Sequence, residues 1–146
     1  MSKTLNVINE RVDDIPLLLA FLKQMGVQSL LDRHFPTHGN WQGLSLGWVA
    51  AVWLSYILSQ ADHRLSHVQP WAEKRLETLR GCTTDTLRAL DFTDDRLQAL
   101  LRYLSDDNSW LEFERELGSQ LVQVYDIKPR TARLDSTTAS TYLRLN

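Results

Sequence analysis

A single cysteine, Cys82, stands in 146 residues. One thiol forms no intramolecular disulfide and builds no cysteine-rich zinc module, so the chain fits a reducing, cytoplasmic setting. Excess charge is also missing: 16 Lys and Arg face 18 Asp and Glu, for a formal net charge of −2 and a pI of about 6.1. Nothing global draws such a chain onto nucleic acid, and any DNA contact has to come from a local patch. A membrane span needs roughly 18 to 20 apolar residues. The longest apolar run, residues 46–58, is shorter and is interrupted by Gly47 and Ser55. The first eleven residues lack the continuous apolar core of a signal peptide. No internal repeat, low-complexity tract or long linker divides the chain. With 43% hydrophobic and 23% charged residues it reads as an ordinary soluble globular protein with enough length to bury a core.

What is present is helical periodicity, and the expected fold class is mainly α. Asp13-Asp14-Ile15-Pro16 is a helix start, with capping carboxylates and a proline in the first turn. Gly26 is placed to end that helix in a left-handed conformation, and Val27, Leu30, Leu31 and Phe35 mark a second short amphipathic helix. A loop with breakers follows over residues 36–43, anchored by Trp41. Ser45 caps the run 46–58, which is apolar almost all round and so predicts the central buried helix. Pro70 predicts the start of a helix over residues 71–80 closed by Gly81, and Thr84 and Asp85 a short helix through Leu90. Thr93 caps the next, with Leu97, Leu100, Leu101 and Leu104 as its core stripe. After a polar turn at residues 105–109, Trp110, Phe113, Leu117, Leu121 and Val124 recur on one face of a last helix ending near Asp126.

The stretch at residues 131–141, Thr-Ala-Arg-Leu-Asp-Ser-Thr-Thr-Ala-Ser-Thr, is different in kind. It reads as a short strand ending in an acid, with Arg133, Asp135 and Thr137 on one face and Leu134 on the other. A strand-borne Asp among hydroxyls suits a hard cation such as Mg²⁺, although one carboxylate makes no site alone. Asp-Ser-Thr-Thr is also common turn chemistry, and from spacing alone the turn is the stronger reading.

Arg133-Leu134-Asp135-Ser136-Thr137-Thr138-Ala139-Ser140, preceded by a helical region carrying Asp94-Asp95-Arg96-Leu97, resembles bacterial insertion-sequence transposases of the DDE type. The likeness is to the group in which an all-helical N-terminal domain precedes an RNase H-like catalytic domain, and it spans most of residues 12–142. It implies that Asp135 is the first catalytic acid and a ligand of Mg²⁺ or Mn²⁺, with Asp94-Asp95 in a structural or assembly role and not a catalytic one. The family's second Asp and its Glu have no counterpart before Asn146, so the resemblance implies that this chain is catalytically incomplete by itself and holds no metal tightly. The expected division is a lead-in at 1–12, a helical domain at 13–126 and the truncated start of an RNase H-like domain at 127–146.

Candidates for DNA contact fall in two groups. Arg64, His67, Lys74, Arg75 and Arg80 cluster around Pro70, diluted by Asp62, Glu73 and Glu77, so that a solvated helix face is the plainer account. Lys128, Arg130 and Arg133 lead into the Asp135 segment, where a basic linker is the plain account. His63 and His67, four apart, share a face if helical, but no third ligand is evident and a metal role is the weaker reading. Trp48, Trp53 and Trp110 belong in the core, leaving Trp41 and Trp71 for a contact surface. The expectation is a module that engages transposon-end DNA or assembles with other protomers, homo-oligomers included, without cutting and without a membrane. The alternatives are an inert transposase remnant and a helical interaction domain unrelated to transposition.

Overall fold

A computed structural model describes residues 5–128, all of whose regular structure is helical. The strand expected near Leu134, and with it Arg130, Arg133 and Asp135, lies outside the described residues. The helices are α1 (Ile15–Gln24), α2 (Val27–His34), α3 (Leu46–Gln60), α4 (Val68–Glu73), α5 (Leu76–Cys82), α6 (Asp94–Tyr103) and α7 (Asp107–Val124), with 3₁₀ turns at Leu65–His67 and Ala89–Phe92.

The apolar run becomes α3, and α1, α2 and α6 pack around it. Leu46, Val49, Val52 and Tyr56 are buried along it, and Ser45 caps it by accepting from the Trp48 N–H at 3.3 Å. Asp32 of α2 clamps the same end, taking bonds from Ser45 Oγ at 2.9 Å and Gly47 N at 2.6 Å. That approach is close enough that a Cβ on Gly47 would run into the main-chain oxygen of Gln28. Only glycine lets α3 lie there. Gly26, at φ +76°, turns the chain from α1 into α2 as its sequence position suggests.

α7 crosses α2. Phe35 packs its ring against Trp110 and Phe113 at centroid distances of 5.3 and 6.1 Å, and Glu116 pairs with Arg33 and His34. Phe113, Glu116, Leu117 and Gln120 thus form one docking stripe at helical spacing. Asp106 caps α7 through the Ser109 N–H at 2.8 Å, so the helix begins inside the expected polar turn. Its far end closes through Ile127 N–H on Val122 O at 3.0 Å, with Asp126 at φ +45°. No helix among the described residues is long and apolar enough to cross a membrane.

Four details differ from expectation. Asp14 sits at the start of α1 without a side-chain cap, and Asp13 turns away to Arg11 and Arg75, drawn by their charge. The single helix expected over 71–80 is two. α4 starts at Val68 with Pro70 in its first turn, the chain leaves helical geometry at Arg75 (φ −142°), and α5 runs on past Gly81 to Cys82. The break lets Arg75 fold back, its guanidinium 4.8 Å from the Trp71 ring centroid and donating to Trp71 O at 2.9 Å. The new helix start is capped from far away: Glu10 accepts from the N–H groups of Glu77 and Thr78 at 2.9 and 2.7 Å and from Thr78 Oγ1 at 2.7 Å. Residues 84–88 are not helical, because buried Asp91 instead gathers the N–H groups of Arg88 at 2.8 Å and Leu44 at 3.4 Å and tightens the chain into the Ala89–Phe92 turn. On α6, Leu97 and Leu100 are buried while Leu101 is exposed, the neighbouring elements covering a narrower stripe than the four leucines suggest.

Candidate functional site

Four of the candidate basic residues, Arg64, His67, Lys74 and Arg75, meet at the end of α3. Ala61, in a left-handed conformation at φ +50°, swings the chain out of the helix and sets Asp62 against the Tyr56 hydroxyl, which donates at 2.5 Å. Arg64 then wraps the same carboxylate through its main-chain N–H at 3.0 Å, Nε at 2.9 Å and Nη2 at 3.3 Å. His67 Nδ1 lies 3.0 Å from Asp62 Oδ2. Around this hub opens a concavity of about 500 Å³, whose lining includes Lys74 and Arg75. Three cationic residues and one carboxylate line it.

The Arg64 guanidinium, with the Tyr56 and His67 bonds adding to it, holds the Asp62 carboxyl well below the usual carboxylate range. Burial, reinforced by the bond to Asp62, pushes the Tyr56 phenol up to about 12. Asp62 is therefore a fixed negative charge that preorganises Arg64. A preorganised guanidinium beside a flexible, exposed lysine can take a phosphate bidentately on one side and as a point charge on the other.

The other candidates are placed differently. Arg75 is only 7% exposed, with its guanidinium against Trp71 and 3.5 Å from Asp13, so it is committed to packing more than to solvent. Arg80 is outside the concavity, donating to Leu87 O at 2.9 Å and to Glu77 at 2.8 Å. Lys128 is exposed, 3.6 Å from Asp126. His63 and His67 do not share a helical face, because residues 61–64 are not helical and His67 turns to Asp62. Among the described residues no group of three His, Cys, Asp or Glu could hold a metal ion. Trp71 is largely buried against Tyr56, ring centroids 5.2 Å apart, and reaches the surface at the wall of this concavity, whereas Trp41 is half-buried.

Tyr56 and the hub role of Asp62 were not legible in sequence. The only hint is the Asp62–Arg64 spacing, and it acquires meaning only once Ala61 is left-handed. A second concavity, apolar and about 470 Å³, opens among α1, α2, α3, α6 and α7, with the Trp53 Nε1–H beside it lacking a partner among the described residues. Compared with family models, with curated proteins and with solved structures, the chain matches none.

Proposed function

We propose that this chain is the helical N-terminal part of a DDE-type transposase and that it contacts DNA without cutting it. The resemblance of Arg133-Leu134-Asp135-Ser136-Thr137-Thr138 and of Asp94-Asp95-Arg96-Leu97 to that family supplies the class. The observation that carries the DNA contact is the gathering of Arg64, His67 and Lys74 around one concavity in which cations outnumber carboxylates. In a chain of net charge −2, such a local excess is what phosphate binding requires. Lys128, with Arg130 and Arg133 after it in sequence, is the second basic group of the proposal.

In the family's chemistry metal ions such as Mg²⁺ or Mn²⁺ activate water and a 3′-hydroxyl for in-line attack on phosphodiesters. Asp135 is the residue of this chain proposed to hold such a metal within a complete set of acids. The role proposed for the helical domain is to grip the end on which that chemistry acts.

A salt-titrated mobility shift of the full chain on the DNA flanking its gene tests the reading, with scrambled DNA of equal length as control. Preferred binding to the flanking DNA is expected. Lys74→Ala and Arg64→Ala should each weaken it and lower the salt slope by about one, the signature of one lost phosphate contact. No shift at low salt would refute DNA contact by this chain.

A further inference from the structure

A third concavity, of about 450 Å³, lies between the loop after α2 and the outer face of α6. The loop contributes His38, Asn40 and Trp41, and α6 contributes Arg96, Arg102 and Tyr103. Three aromatic or heteroaromatic rings and two guanidiniums line it, and no carboxylate does. Asp95, one turn before Ala99 on α6, is exposed on the same helix but is not part of the lining.

The walls are fixed from behind. Trp41 donates its indole N–H to Leu44 O at 2.9 Å, and Arg96 lies 3.6 Å from the Trp41 ring centroid while donating to the carbonyls of Gln42 and Leu44. Tyr103 meets Trp41 edge-on at 5.6 Å and His38 at 5.7 Å, and its hydroxyl accepts the His38 main-chain N–H at 3.1 Å. Among the described residues the Tyr103 hydroxyl has no acceptor for its own proton. Arg96 is thus spent on holding the loop. Arg102 is exposed and, among the described residues, its guanidinium has no hydrogen-bond or ion-pair partner. At the end of α6 the Arg102 carbonyl is taken up by Ser105 Oγ at 2.7 Å, which blunts the negative end of the helix beside this guanidinium.

We infer that this concavity binds one unpaired nucleotide of a DNA strand, its base against the His38, Trp41 and Tyr103 rings and its phosphate on Arg102. Fixed aromatic rings beside a free guanidinium are the chemistry that takes a splayed base with its phosphate. A base inside a duplex is already stacked and has no face to offer them. The volume is in the range that holds one small planar ligand (roughly 300–1,000 Å³). Asn40 adds an amide able both to donate to and to accept from a base edge. The inference deepens the DNA-contact proposal and rests on it: duplex phosphates are assigned to the Arg64–Lys74 face, and a frayed or single-stranded end to this site.

The test measures anisotropy of labelled oligothymidylate of about eight nucleotides and of a blunt duplex of equal length, with the full chain, at one salt concentration. Single strand is expected to bind, and Arg102→Ala to weaken it about tenfold while changing duplex affinity less than about twofold. Tyr103→Leu should act in the same way, with its fold checked by thermal melting. Arg102→Ala keeps the test sound if Tyr103→Leu fails to fold, since the Arg102 side chain supports no described contact. Duplex binding with no single-strand binding, or single-strand binding indifferent to Arg102→Ala, overturns this inference and leaves the DNA-contact reading standing. Absence of both overturns both. Thymidine 5′-monophosphate binding as tightly as the strand would move the site to free nucleotides, and a phosphotyrosine peptide binding better than the strand would move it to protein, each against the inference.

Discussion

Glu10 caps a helix from the far end of the sequence, and removing its side chain is the sharpest test of how this domain is held together. The carboxylate takes three bonds, two from the first N–H groups of α5 and one from Thr78 Oγ1. Local residues do not replace it, because Arg75 at the N-cap position makes no side-chain cap bond. Loss of an ordinary N-cap costs about 0.5–2 kcal/mol, and a charged acceptor with several donors belongs at the upper end. Glu10→Ala is therefore expected to cost about 1.5–2 kcal/mol, and Glu10→Gln, which keeps an acceptor oxygen but loses the charge, about half of that. For a domain of this size each kcal/mol moves Tm by roughly 3–5 °C. The effect also has a pH signature. Burial alone would raise the Glu10 carboxyl, but the bonds from Thr78 and Glu77 outweigh it and hold it below its ordinary 4.5. With the folded value depressed, the stabilisation is present above about pH 4.5 and is lost as pH falls through the folded value. Urea melts at pH 7 and at pH 4, with hydrogen exchange at the Glu77 and Thr78 amides, read all of this. Equal stability of Glu10→Ala and the natural chain at pH 7, with unchanged protection at those two amides, would refute the reasoning.

Arg75→Met should cost about 2–3 kcal/mol in urea unfolding, because it strips Trp71 O and Asp13 of a charged partner, yet leave DNA affinity of the folded fraction unchanged. Asp62→Asn should remove the one carboxylate from the concavity, a gain in charge that outweighs the loosened hold on Arg64, raising duplex affinity by roughly threefold at low salt in a mobility shift. In the same variant, ultraviolet titration should show the Tyr56 phenol falling from about 12 while staying above 10, since burial persists after the carboxylate is gone. Because the folded value of Tyr56 is raised, its contribution to stability is complete below pH 10 and fades as pH climbs from there towards 12, which alkaline melts should reproduce. Asp126→Gly should stabilise by about 0.5–1 kcal/mol, glycine carrying no side-chain penalty at the positive φ that closes α7.

Legibility in the sequence divided along the range of the interactions. α1, α2, α3, α6 and α7 follow from apolar spacing, and Ser45, Thr93 and Gly26 do what their positions imply. The split between α4 and α5 does not follow, because it is made by Glu10 and Asp13 acting on residues more than sixty positions away. Asp91 likewise holds Leu44 across the chain, a tie that no local pattern reports. Lys74 and Arg75 look interchangeable as neighbours in a basic cluster, yet one is exposed and the other is buried on an indole. Arg102 and Tyr103 carry no local signal on α6, and only the returning loop with Trp41 and His38 brings them to one concavity.

α7 also sets a phase. At 1.5 Å per residue its 18 residues make a strut of about 27 Å, pinned to α2 by the stripe from Phe113 to Gln120. Whatever azimuth the chain has on leaving Tyr125 is thereby indexed to the body of the domain, as a key is indexed to its bow. One residue inserted after Gln120 would rotate that exit by about 100° while lengthening the strut by only about 1.5 Å, and seven would nearly restore it. Sensitivity to the angle of such insertions, more than to their length, would be the mark of a domain that aims the chain it carries.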